Sequence, residues 1–269
     1  MVFGGGTSLS AAWGITERWS QDIDLILDPA QGATPKQMRQ ACKKGAEAAA
    51  RRIGCGFKET SRSLGHYFFV FRDRGRDEVS SIDIAFQSVE PPLWVQKVPV
   101  MSMIGRVCDP EVLEAHPELG GFEFNTLGPG TTAMNKLLAQ TEMSASGDFD
   151  SIRGRARDVY DLACIARSAE DFEGHIGRDS KALLRAAESW TFRDSKRPED
   201  GFASIRSFDP STHEHEALAE GYEEVMNGMV WGEPIPLDEA IALAVSLDPG
   251  PAEPPPPLEH GPLVAYPRH

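Results

Sequence analysis

Cysteine is scarce and scattered: Cys42, Cys55, Cys108 and Cys164 are the four in 269 residues, with no Cys-x-x-Cys pair. That spacing excludes both a zinc knuckle and a disulfide framework, and it fits a reducing cytoplasm. No apolar run approaches the roughly 20 residues that a membrane-spanning helix needs. The opening Met-Val-Phe-Gly-Gly-Gly lacks a basic stretch and an apolar one, so it does not read as a secretory signal. Those glycines are not followed by Gly-Lys-Ser/Thr, which excludes a Walker loop. There is no internal repeat.

Positive charge is also short, 27 Lys+Arg against 41 Asp+Glu, for a net charge of -14. The deficit is one-sided. Residues 1–106 hold 14 basic and 11 acidic side chains, whereas the remainder holds 13 and 30. The basic part includes Lys43, Lys44, Arg51, Arg52, Lys58, Arg62, Arg72, Arg74 and Arg76. Such a cluster either follows a phosphate backbone or is a solvated face. The acidic half is a poor surface for RNA.

What remains reads as α+β, a small mixed sheet followed by a helical bundle. Asp22 to Leu27 alternates as a strand, ended by Asp28-Pro29. Pro35 opens an alanine-rich helix that reaches Ile53 and closes at Gly54. His66 to Phe71 and Val79 to Phe86 are β-rich, joined through a charged turn at 72–77, and a further strand is expected over Val98 to Ile104. A short helix is expected over Leu9 to Ile15. Spacings of three and four then predict helices near 129–142, 153–168, 179–190, 213–228 and 237–246. Ser144 to Asp150 reads as a mobile loop. The expected divisions are 1–107 for the α/β domain, 108–247 for the helical domain and 248–269 for a proline-rich extended tail.

Chemistry concentrates in a few places. Gly4-Gly5-Gly6-Thr7-Ser8 runs into a helix, where bare glycines let backbone N–H groups approach an anion and the hydroxyls add donors. Asp22 and Asp24 sit at i and i+2 on one strand, so both leave the same face while Ile23, Leu25 and Leu27 take the other. Two adjacent carboxylates repel, and magnesium favours such a pair together with phosphate oxygens. The alternative is a solvated strand edge after an ordinary turn. In Ser81-Ile82-Asp83-Ile84-Ala85-Phe86, alternation puts Asp83 opposite the apolar face, either as a third metal carboxylate or as an exposed residue.

Lys136 lies within Thr132-Ala133-Met134-Asn135-Lys136-Leu137-Leu138. It either snorkels to water or aims an ammonium at a triphosphate, and in the latter case its removal should change stability by less than about 1 kcal/mol. Asp158 and Asp161 share a helix face in Arg155-Ala156-Arg157-Asp158-Val159-Tyr160-Asp161-Leu162, as site residues or as part of an Arg–Asp surface lattice. His213-Glu214-His215 is a separate metal site or a solvated helix start.

Taken in order, Gly5-Gly6-Thr7-Ser8-Leu9-Ser10, Arg18-Trp19-Ser20-Gln21-Asp22-Ile23-Asp24-Leu25, Ile82-Asp83-Ile84, Lys136 and Arg157-Asp158-Val159-Tyr160-Asp161-Leu162 resemble the AbiEii/AbiGii-type nucleotidyltransferase toxin family. That family is a branch of the polymerase-β-like nucleotidyltransferases. The resemblance implies an NTP substrate, magnesium held by Asp22, Asp24 and Asp83, and nucleotide binding by Gly5, Gly6, Thr7, Ser8 and Lys136. Asp158 would be the fourth motif, with Asp161 as a second candidate. It further implies transfer of a nucleoside monophosphate, to tRNA in some members, and a cognate antitoxin. In the family a helix and a full strand usually precede the glycines, whereas only Met1 to Phe3 do so here. Transfer to a small molecule or protein, and nucleotide binding without turnover, are the competing functions.

Overall fold

Val2–Gly4 is a strand inside the sheet (β1), where the sequence shows only the short apolar stretch Met1 to Phe3 before the glycines. The computed structural model describes residues 1–20, 22–27, 34–61, 66–72, 79–88, 95–168 and 197–250. β1 pairs antiparallel with β2 (Asp22–Leu27) and parallel with β7 (Phe122–Leu127), so it is hydrogen-bonded along both edges. The remaining strands are β3 (Gly56–Ser61), β4 (His66–Arg72), β5 (Val79–Ser88) and β6 (Val95–Val100). They form one seven-stranded mixed sheet in the order β3-β4-β5-β2-β1-β7-β6. β2 runs parallel to β5, and the register sets Asp22 beside Asp83.

This sheet corrects three expectations. It does not end at residue 107, because β7 enters between β1 and β6. The strand expected over Val98 to Ile104 is Val95–Val100, because Ser102 caps a short helix, α3 (Met103–Val107), by accepting from Gly105 N. Helix α1 (Gly5–Ala11) starts directly at the glycines and not at Leu9.

Helix α2 (Pro35–Ile53) has the expected bounds. Thr34 and Gln37 form a capping box at its start, and Gly54 stops it at φ 73°. Its Cys42, Ala46 and Ala50 pack with Tyr67 and Phe69 against Ile23 and Leu25 of β2. One face of β2 is thereby spent on the core. The other, bearing Asp22, Asp24 and Ile26, opens onto a cavity.

After α4 (Pro110–Ala115) and β7 come α5 (Pro129–Ser146), α6 (Phe149–Gly154), α7 (Ala156–Arg167), α8 (His213–Gly228) and α9 (Leu237–Ser246). Leu137, Val159, Leu162, Ile165, Leu218 and Ala240 are fully buried among them, and Leu9 of α1 joins the same core. α1 therefore fastens the sheet to the bundle. Ser144 to Asp150 is a tight helix–helix joint and no loop: Ser144 is buried, Gly147 ends α5 at φ 66° and Asp148 caps α6. The helix expected near 179–190, the tail over 251–269 and all but the first residue of the turn at 72–77 lie outside the described residues. Among the described residues no helix is long and apolar enough to cross a membrane.

Candidate active site

A cavity of about 260 Å³ lies where β2, the start of α1, α5 and α7 meet. Period two on β2 delivers Asp22 and Asp24 to it. Helical spacing on α5 delivers Thr132, Asn135 and Lys136, and α7 with its cap delivers Arg155, Arg157 and Asp158. Gly5 and Gly6 line it from the first turn of α1. Gly5 has φ 68°, and a Cβ there would fall 1.8 Å from Asp24 Oδ2. Only a bare backbone fits against that carboxylate.

Thr7 and Ser8 are placed differently from expectation. Ser8 is fully buried and donates to the Gly5 carbonyl at 2.8 Å. Thr7 Oγ1 bonds Ser20 Oγ at 2.7 Å and the Asp22 carbonyl, while Ser20 donates to Asp22 Oδ1 at 3.3 Å. Neither Thr7 nor Ser8 lines the cavity; both hydroxyls bind within the protein, and Thr7 braces the start of α1 against β2.

Burial, reinforced by Asp22, pushes the Asp24 carboxyl up to about 6, against the pull of Lys136, Arg157 and Arg155. A divalent cation fits this pair, since it removes the repulsion and leaves further positions for phosphate oxygens. Among the described residues no set of three or more His, Cys, Asp or Glu side chains gathers to hold a metal. Asp83 adjoins Asp22 by backbone register, and its side chain lies outside the description. The side chains of His213-Glu214-His215 do not converge on one point. His213 pairs with Glu216, Glu214 with Arg206, and His215 Nδ1 is 3.1 Å from the Ser207 carbonyl.

Behind the cavity runs a buried ion network. The Lys136 ammonium lies between Asp158 and Asp161, 2.8 Å from Asp161 Oδ2. Arg18, 1% exposed, forks onto Asp161 with Nε to Oδ1 and Nη2 to Oδ2 both at 2.6 Å. Arg155 Nη1 reaches Asp158 Oδ2 at 3.2 Å. Burial works against the charge on Lys136, but Asp158 and Asp161 outweigh it and hold its pKa above the ordinary value. Burial likewise opposes the Asp158 carboxylate, and Lys136 and Arg155 overcome it, leaving its pKa well below the usual range. Asp158 and Asp161 thus share a helix face as expected, and it is an interior face, not a surface lattice.

Several wall residues escaped the sequence reading. Thr132 is 2% exposed and its hydroxyl has no hydrogen-bond partner among the described residues, although it borders the cavity. Its spacing of four from Lys136 was the available signal. Arg155 and Arg157 were visible only as neighbours of Asp158.

The family description "Nucleotidyl transferase AbiEii toxin, Type IV TA system" matches residues 1–260. The chain belongs to the AbiEii family. Membership makes it a nucleotidyltransferase toxin of a type IV toxin–antitoxin system, with a nucleotide substrate and an antitoxin partner. No curated protein matches the chain. Solved structures similar to it include two chains from bacteria. One is MenT4, a nucleotidyltransferase toxin from Mycobacterium tuberculosis H37Rv, at 16% identity and TM-score 0.46, covering 91% of this chain and 78% of that one. The other is JHP933 from Helicobacter pylori, at 15% identity and TM-score 0.36, covering 91% of this chain and 84% of that one. The AbiEii assignment rests on the sequence match. Gly5, Gly6, Asp22, Asp24, Lys136 and Asp158, scattered along the chain, border one AbiEii cavity.

Proposed function

We propose that the protein transfers a nucleoside monophosphate from an NTP to tRNA in the cytoplasm, with magnesium held by Asp22 and Asp24 and completed by Asp83. The observation that carries this reading is the convergence of Gly5, Gly6, Asp22, Asp24, Lys136 and Asp158 on one cavity. A bound magnesium ion supplies positive charge at the triphosphate oxygens and polarises the α-phosphate.

The protein's own groups account for the rest. Gly5 and Gly6 leave the backbone bare so that the triphosphate can approach closely. Lys136, fixed by Asp158 and Asp161, has three N–H donors and presents an ammonium that cannot swing away. The acceptor hydroxyl oxygen bonds to the α-phosphorus, the bond from that phosphorus to the α,β-bridging oxygen breaks, and pyrophosphate leaves. Asp83 takes the acceptor proton. Positioning and charge stabilisation carry most of the catalysis.

An RNA acceptor is supported by the outer face of α2, where Lys36, Lys44, Arg51 and Arg52 are exposed. Lys43 on the same helix is occupied by Glu59 at 2.6 Å. A competing acceptor, a protein or small molecule, is favoured by the acidic balance beyond residue 106. Incubation with each α-labelled NTP and total RNA separates them: label in tRNA-sized RNA supports the reading, and label in protein, in small molecules or nowhere overturns it. Loss of RNA affinity in Lys44→Glu with Arg52→Glu, with NTP affinity unchanged, would assign the phosphate contacts to α2.

A further inference from the structure

Arg157 Nη2 stands 2.9 Å from Asp22 Oδ2, and both side chains are about one-third exposed, 30% and 31%. That oxygen is one the proposed chemistry needs. A guanidinium and a divalent cation are alternative ways to neutralise the same carboxylate oxygen, and they cannot both sit against it at full contact. Among the described residues, the other cations bordering the cavity pair with carboxylates of α7 and not with a proposed cation ligand. Arg18 and Lys136 are buried and held by Asp161 and Asp158. Arg155 pairs with the buried Asp158 at 3.2 Å. Arg157 is a one-third-exposed cation on the cavity wall whose ion pair is with the proposed cation ligand itself.

We infer that Arg157 is an exchangeable ligand: it occupies Asp22 in the nucleotide-free protein and moves to a phosphate oxygen when the metal–triphosphate enters. The inference rests on the proposed role of Asp22 as a cation ligand. The guanidinium has five N–H donors in a planar fork, which suits it to phosphate as well as carboxylate. The exchange keeps Asp22 neutralised in both states, so the empty site carries no isolated carboxylate pair. It also makes the protein a poor binder of bare metal and a good binder of metal with nucleotide. Arg157 therefore acts with opposite sign on the two ligands, which no purely structural ion pair would do.

The test uses the full-length protein, Mn2+ followed by electron paramagnetic resonance, and the four α,β-methylene nucleoside triphosphates. Wild type, Arg157→Gln, Arg157→Lys and Asp22→Asn are compared, with thermal melts to check folding. Arg157→Gln should bind Mn2+ alone about threefold more tightly, the scale of a partly exposed ion pair. With Mn2+ present, the same variant should bind the preferred analogue about tenfold more weakly, the scale of a lost charged hydrogen bond. Arg157→Lys, a point charge without the fork, should fall between wild type and Arg157→Gln on both measures. Unchanged or weaker Mn2+ binding in Arg157→Gln overturns the exchange, and so does unchanged analogue binding. Unchanged Mn2+ binding in Asp22→Asn instead overturns the underlying assignment of Asp22, so the two failures are distinguishable.

Discussion

Arg18 and Asp161, 143 residues apart in sequence, are joined by two 2.6 Å hydrogen bonds with at most 1% of either side chain exposed. The pair connects the segment before β2 to the middle of α7. A buried pair of this kind contributes little net stability, but breaking it from one side leaves a desolvated charge. Asp161→Asn should therefore lower unfolding stability by roughly 3–5 kcal/mol in urea titration. Arg18→Met combined with Asp161→Leu should cost less than Asp161→Asn alone. Equal or greater loss in the double variant would show that the pair does more than neutralise itself.

Lys136 is bound up in the same network, so its removal is no surface substitution. A lysine that only reached a triphosphate would cost less than about 1 kcal/mol to remove. With two buried carboxylates each losing one of their cations, Lys136→Met should cost roughly 3–5 kcal/mol. The pH dependence should change too. In the folded protein Asp158 lies below its ordinary pKa of 3.8, because Lys136 and Arg155 outweigh burial. A depressed carboxyl adds stability above its unfolded pKa and loses it as pH falls below about 4. In Lys136→Met burial prevails, so acidification from about pH 5 to 3 should cost the variant less than wild type. Parallel melting-temperature curves for the two proteins would argue against this coupling.

How much of this was legible follows from which interactions are local. Asp22–Leu27, Pro35–Ile53 and Leu237–Ser246 were read with the bounds they have, because alternation, capping and helical spacing are written within each segment. Phe122–Leu127 was missed: its partners β1 and β6 are distant or extended short segments, and its outer phenylalanine is exposed. Val2–Gly4 is three residues long and is a strand only because two neighbours pair with it. At the site, the Asp-x-Asp pair and Lys136 were named from spacing. The engagement of Thr7 and Ser8 within the protein was not, since it depends on Ser20, Asp22 and the Gly5 carbonyl meeting in space. Asp161 looked secondary in sequence, yet it is the carboxylate that both Arg18 and Lys136 share.

Thr132 gives a prediction whose two parts have opposite sign. Its buried hydroxyl has no partner among the described residues, and leaving such a group unsatisfied costs about 1–3 kcal/mol. Thr132→Val keeps the shape and should raise stability by about 1 kcal/mol, while weakening nucleotide binding about fivefold through loss of one hydrogen bond. Titration with the α,β-methylene analogues and a thermal melt measure both. Unchanged nucleotide affinity would remove Thr132 from the binding wall.

Gly5 is constrained twice, by its positive φ and by Asp24. Gly5→Ala should lose about 1–3 kcal/mol of stability and displace the Asp24 carboxylate, with transfer falling at least about tenfold. Gly54→Ala, equally left-handed in φ but in open space, is the control: strained in backbone, it should keep activity per folded molecule. Equal activity losses in both would implicate general destabilisation and not the approach to Asp24.

The most direct test is label transfer from α-32P-labelled NTP to purified tRNA by wild type, Asp22→Asn and Asp24→Asn side by side. Removing one of two repelling carboxylates should not unfold β2, so the Asp24→Asn protein should melt no lower than wild type. Wild type should label the tRNA, and both variants should leave it unlabelled while still folded. Labelling by a folded variant at the wild-type rate would contradict the assignment of Asp22 and Asp24, and wild type that leaves tRNA unlabelled would contradict the acceptor.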